Sequence, residues 1–276
     1  MKIKELVKKM DNEVIQKKNQ ESYDNCGLIV GSEENEITGI LTTLDVTEDV
    51  VLEAEKLGCN LIVAHHPIIF FGLKTMVDSN PNQKTIMLAI SKGISIYAAH
   101  TSLDNRFFAG INESLAEKIG LENIAPLKAI NPDVKVGQES EMGAGAIGEL
   151  EKPEFVIDFL ERIKKVLKIN GHIKAGNVQK NVQITKIAIC TGAGFFMSKE
   201  AKQKGAELFI TSDISYHNFF DEKGIMLADI GHYDSEKHSP EVISKLLKSF
   251  VIGPDDLSPD RIYISKINTN PVISIA

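Results

Sequence analysis

The chain has 276 residues, with 38 acidic against 31 basic side chains for a net charge of −7, and 43% of its residues are apolar. That composition excludes a disordered or fibrous chain and fits one large domain or two modest lobes. The acidic balance gives no overall attraction to phosphate backbones, so a dedicated nucleic-acid binder is not expected, whereas a nucleotide monomer stays open as a ligand.

The opening residues place Ile3, Leu6, Val7 and Met10 at helical spacing between lysines and acids, which predicts an amphipathic surface helix and no secretory leader. Gly27 to Gly31 and Ile37 to Leu44 are short β-branched runs punctuated by glycine, the pattern of strands and turns. Thr47 then supplies a helix cap, Glu48 and Asp49 an acidic first turn, Val50, Val51, Ala54 and Leu57 an apolar face, and Gly58 a stop. A strand follows over residues 60–64. Pro126 to Gly148 is rich in proline and glycine, and the helix after it carries Phe155, Phe159, Ile163 and Leu167 on its apolar side. Ser239 reads as an N-cap with Pro240 at the first helical position, and a last strand is expected between Arg261 and Ile267.

Two stretches resemble each other. Glu53 to Ala64 aligns without gaps to Glu200 to Thr211, and Lys92 to His100 resembles Lys223 to His232, each with a glycine turn, an apolar strand and a terminal histidine. The expected fold class is therefore α/β, built as two pseudo-equivalent α/β lobes. The segments are a first lobe over 1–126, a connector with a glycine-rich strand and a helix over 127–185, and a second lobe over 186–276.

Cys26, Cys59 and Cys190 are odd in number and far apart, so a disulfide framework is not expected and the compartment reads as reducing. No run of about 18 apolar residues occurs, which removes a spanning helix. A cytoplasmic protein without membrane association is the expectation.

The chemistry concentrates at strand ends. His65 and His66 follow one strand, His100 and Asp104 another, and His232 and Glu236 a third. In open α/β sheets the carboxyl ends of strands line the ligand crevice, so residues remote in sequence are expected to converge there. Adjacent side chains on extended backbone point to opposite sides, which would let His65 and His66 serve two centres. His232 and Glu236, four apart, would share one face of a helical turn, although Gly231 makes a loop an equal alternative. Imidazole and carboxylate donors without a thiolate suit Zn, Mn or Fe, and two divalent ions with these ligands would leave a cationic site able to activate water. The alternative reading of each residue alone is a solvated or hydrogen-bonded side chain.

Gly143 to Gly148 fits G-x-G-x-x-G, but no helix follows at once, so it reads as a glycine-rich strand. Thr191, Gly192 and Gly194 form a turn between a strand and a helix that could hold an anion through backbone N–H groups, or could be a plain βα turn. His217 beside Tyr216 is a reserve candidate for the pocket. The cysteines read as packing residues, and no covalent catalysis is assigned.

Taken together, Asp24-Asn-Cys-Gly27-Leu28, Ala64-His-His-Pro67 with Phe70, His100-Thr-Ser-Leu-Asp104 with Gly110 and Asn112, Thr191-Gly-Ala-Gly194 and Gly231-His-Tyr-Asp-Ser-Glu236 resemble the motifs of the NIF-three-like family, also named GTP cyclohydrolase 1 type 2 homologues. The likeness covers nearly the whole chain, in the compact form without an inserted domain. Tyr23 departs from the tryptophan associated with the first motif. The resemblance implies a two-metal site of His65, His66, Asp104, His232 and Glu236, with Glu236 as a bridge and His100 either binding or orienting substrate or holding Asp104 from behind, and it implies a homohexamer. The activity expected is hydrolysis by metal-activated water at C8 of GTP or a related nucleotide, releasing formate, with Glu236 and His100 as catalytic candidates and the Thr191 to Gly194 turn under the triphosphate. The alternatives are a metal-dependent phosphoesterase, or a metal-binding scaffold or regulatory protein with no turnover.

Overall fold

The computed structural model describes residues 1–130, 142–221, 224–251 and 257–275. In chain order its first elements are α1 (Ile3–Lys9), β1 (Gly27–Val30), β2 (Ile40–Thr43), α2 (Glu48–Lys56), β3 (Leu61–Ala64), α3 (Pro81–Ser91), β4 (Ser95–Ala98), α4 (His100–Asp104), α5 (Ile111–Lys118) and β5 (Leu121–Ala129). There follow β6 (Gly143–Phe155), α6 (Val156–Val166), β7 (Lys174–Gly176), β8 (Gln183–Ile189), α7 (Ser198–Gln203), β9 (Leu208–Thr211), α8 (Asn218–Asp221), β10 (Met226–Asp229), α9 (His232–Glu236), α10 (Ser239–Phe250) and β11 (Ile262–Ile264). No helix among the described residues is long and apolar enough to cross a membrane.

The chain forms two compact units. One comprises residues 1–103 and 238–269, the other residues 104–237 and 270–276. These units divide the chain differently from the three sequence segments: the stretch 127–185 is no separate connector but supplies β6, α6 and β7 and begins β8, while α10 and β11 return to the first unit. Part of the proline- and glycine-rich stretch, residues 131–141, lies outside the described residues, as does Lys223 of the second repeat.

The first unit holds a five-stranded sheet in the order β1-β4-β3-β2-β11. Strands β2, β3 and β4 are parallel and fully buried, as their continuous apolar runs require, and only β1 is antiparallel. Their core includes Leu41, Val51, Ile62, Ala64, Ile86 and Ile96. Thr47 caps α2 by accepting a hydrogen bond from the Val50 N–H, and Gly58 ends that segment at φ 68°.

The second unit holds a six-stranded sheet in the order β5-β6-β8-β9-β10-β7, with β8, β9 and β10 parallel. The glycine-rich strand is β6, which pairs antiparallel with both β5 and β8. Helix α6 buries Val156, Phe159, Leu160 and Ile163 against the sheet, each worth about 2 kcal/mol of apolar burial. Phe155, expected on that face, sits before the first turn and is 45% exposed. The start of α10 is likewise shifted by one residue, with His238 at the cap position and Ser239 already helical.

The two sheets repeat one motif. β2-α2-β3-α3-β4-α4 in the first and β8-α7-β9-α8-β10-α9 in the second run strand, helix, strand, helix, strand, helix with parallel pairing throughout. Both end on a five-residue helix that begins with histidine and ends with a carboxylate, His100 to Asp104 and His232 to Glu236.

Candidate metal centre

In the first unit, Ala64 of β3 stands opposite Ala98 of β4, so His65 and His100 leave the sheet at the same edge. Strand β3 ends before the histidine pair, and the alternation expected of extended backbone does not reach it. The His65 and His66 rings instead lie side by side with centroids 4.9 Å apart. His100 joins them at 5.5 Å from His65 and 5.6 Å from His66, giving a compact group of three imidazoles. His65 is wholly buried, and the side chains of His66 and His100 are about one-fifth exposed.

Carboxylates orient two of these rings. His66 Nδ1 lies 2.7 Å from Asp45 Oδ1, and His100 Nδ1 lies 2.8 Å from Asp24 Oδ1. A carboxylate on Nδ1 fixes the tautomer and leaves Nε2 as the ligating atom, the arrangement found behind metal-bound histidines. Burial opposes ionisation of Asp24, but hydrogen bonds from His100, Thr101 and Cys26 more than offset it and hold the carboxyl below the usual range. Asp45 follows the same balance, with burial outweighed by His66 and Thr269.

In the second unit the parallel register of β8, β9 and β10 brings three chain ends to one edge: the Thr191 turn after β8, Ser212 and Asp213 after β9, and His232 after β10. His232 uses both ring nitrogens. Nδ1 is 2.6 Å from Asp213 Oδ2, and Nε2 is 3.0 Å from Glu236 Oε2, so the four-residue spacing is realised on the helix α9 rather than in a loop. Glu236 is 3% exposed. Asp104 shares its neighbourhood: burial pushes the Cys190 thiol up, and the charges of Asp104 and Glu236 push it in the same direction. Burial and these charges disfavour the thiolate, in keeping with the packing role its apolar sequence context implied.

The glycine turn serves this set rather than an anion. Thr191 N–H donates to Asn112 Oδ1, Gly192 N–H to Ser235 Oγ and Gly194 N–H to Thr211 Oγ1, at 3.0, 3.0 and 2.9 Å. Those donors are engaged inside the protein, which favours the plain βα turn of the two sequence readings of Thr191, Gly192 and Gly194. At Gly192, with φ 63°, a Cβ would stand 2.3 Å from Glu236 Oε1 and 3.6 Å from His232 Cε1. Only glycine lets the turn close over the carboxylate. His217 is exposed beside Tyr216, with ring centroids 5.5 Å apart.

The donors thus fit a divalent cation by their chemistry: imidazoles with carboxylate-backed Nδ1 atoms, buried carboxylates and no thiolate. Sequence reasoning named the ligand candidates but missed the orienting acids. Asp24 lies in a quoted motif without a role, Asp45 carries no local signal, and Asp213 stands two residues after Thr211 as His66 stands two after Ala64.

Fold and side chains together define an α/β protein with histidine and carboxylate sets at the carboxyl ends of its parallel strands. Residues 1–271 match the Duf34/NIF3 (NGG1p interacting factor 3) family, and the chain belongs to it. A Clostridium perfringens protein named GTP cyclohydrolase 1 type 2 homolog is 38% identical over 219 residues, covering 79% of this chain and 80% of its own. A Staphylococcus epidermidis protein of the same name aligns at 30% identity over 370 positions, 98% of this chain and 99% of its own, so it carries residues that this shorter chain lacks. Among solved structures, a Staphylococcus aureus hypothetical protein superposes with a TM-score of 0.84 at 30% identity over 100% of this chain and 99% of its own. A Bacillus cereus protein related to NIF3 reaches 0.87 at 23% identity over the same shares, a likeness of fold.

Proposed function

We infer that the protein is a metal-dependent hydrolase in which His65, His66, Asp104, His232 and Glu236 hold two divalent cations and a nucleotide such as GTP is the substrate. The observation that carries this reading is the donor chemistry within each unit: His65 and His66 lie side by side in the first with Asp45 fixing the His66 ring, and in the second Glu236 is buried against a His232 ring fixed by Asp213. A bound divalent cation would supply a water of lowered pKa and polarise the bond under attack. The protein's own residues supply the rest. Asp45 and Asp213 hold the imidazoles in one tautomer, Glu236 is kept from solvent under the Gly192 turn, and His100, backed by Asp24, can pass a proton through Nε2. GTP comes from the name of the relatives, and the homohexamer belongs to the same proposal.

Elemental analysis of purified protein should give two metals per chain, and GTP supplied to protein loaded with Zn, Mn or Fe should yield formate. Phosphate without formate would favour the phosphoesterase alternative, and metal-loaded protein inert to nucleotides would favour the scaffold that an interacting factor's name suggests. Light scattering tests the assembly.

A further inference from the structure

We propose that Tyr23, Phe70 and Phe71 form a stacking shelf beside His100 that takes a flat heteroaromatic ring, a purine or pteridine; the choice of ring rests on the nucleotide reading above. All three side chains belong to the first unit. The Phe70 ring lies 6.0 Å from that of His100 and nearly perpendicular to it, at 79°. Phe71 meets Phe70 edge to face at 4.8 Å, and Tyr23 is tilted at 43° to Phe70 with centroids 6.3 Å apart. None of these contacts is a flat stack, so a planar guest would displace no face-to-face pair among the three rings.

Exposure of this size calls for an occupant. Tyr23 is 60% and Phe71 76% exposed. At ~150–250 Å² per aromatic side chain they offer roughly 300 Å² together. A stable protein partner needs about 800 Å² on each side, whereas a fused bicyclic ring needs no more than the shelf provides. The surface is also held ready. The Asn25 side chain donates to the Ile69 carbonyl at 2.6 Å, tying the loop of Tyr23 to the loop of Phe70, and the next residue along, Asp24, grips His100 and the Thr101 N–H. Preorganised loops lose little freedom on binding, and aromatic stacking tolerates any base because each has a π face.

The chain has no tryptophan, so Tyr23→Trp places a lone indole on the shelf of the full-length protein. Guanosine should quench its fluorescence saturably, and inorganic triphosphate should not. Adding Phe70→Ala should weaken guanosine binding about tenfold or more, and Phe71→Ala, at a 76% exposed side chain, should weaken it in the same direction. Calorimetry on the wild-type chain gives the reference affinity. Absence of a saturable guanosine response, or an affinity indifferent to both alanine variants, overturns the inference. So does burial of the indole by concentration-dependent association without nucleoside, which would give the surface to a second copy of the chain. Nucleoside binding needs no turnover, so a shelf that binds guanosine in a protein that never releases formate would retire the reaction and sustain the shelf.

Discussion

Asp24 shows how one carboxylate sets both stability and geometry. Its side chain is wholly buried, yet it accepts from His100, from the Thr101 N–H and hydroxyl and from the Cys26 thiol. Because those bonds hold its folded pKa below the unfolded value of about 3.9, its contribution is present above that pH and is lost as pH falls below it. In metal-free protein the urea midpoint should therefore drop on acidification below about pH 4. Asp24→Asn should lower stability at neutral pH by roughly 2–3 kcal/mol and flatten that acid limb. An unchanged slope would mean that the acid loss arises elsewhere. Asp213, half exposed, carries little stability of this kind, and its role is orientation of His232. Asp213→Asn should leave thermal unfolding of the metal-free protein within about 0.5 kcal/mol of wild type and reduce metal affinity about 10- to 100-fold in chelator competition. Equal affinities would strip Asp213 of that role.

At the scale of elements, the repeated strand and helix pattern was legible because it is written in long signals: buried β-branched runs, the Thr47 cap, the glycine stops. The five-residue helix α4 was not, and α9 was legible only as an equal alternative to a loop, because one turn leaves no periodicity to detect and such a helix cannot stand alone. They persist through contacts with other elements, and α9 shows which. Ser235 accepts from Gly192 N–H and donates to the His232 carbonyl at 2.8 Å, so the turn after β8 and the helix after β10 brace each other. The same packing explains why sequence leaves the Thr191 to Gly194 turn open between an anion cradle and a plain βα turn, since a turn that offers its N–H groups to an anion and one that spends them on Asn112, Ser235 and Thr211 share one pattern. Gly192→Ala would force a side chain into a left-handed backbone and against Glu236, at a cost of roughly 2–3 kcal/mol. Calorimetric unfolding should show that loss, and metal affinity should fall with it. A variant as stable as wild type would show that α9 gives way easily.

For the whole molecule, the ligand candidates were legible individually while their joint action was an expectation from strand ends and family motifs. The two repeats have diverged: where β3 is followed by His65 and His66, β9 is followed by Ser212, which donates to the Gly192 carbonyl, and Asp213, which orients His232. One repeat thus supplies an imidazole cluster and the other a buried carboxylate with one imidazole, so neither alone repeats the other's donor set. If both sets serve a common centre, His66 and Glu236 must be energetically linked through the cation. Binding to the folded state alone adds about 2.7 kcal/mol of stability at a metal concentration of 100 times Kd. In metal-free protein, the double-mutant cycle of His66→Ala and Glu236→Ala on unfolding free energy sets the baseline coupling. With metal present, either substitution should remove most of the metal-dependent increment and the second should remove little more, a coupling of about 2 kcal/mol that appears on adding metal and vanishes with chelator. Increments that fall by separate, additive amounts would mean independent sites, and the hydrolase reading would lose the shared centre on which it depends.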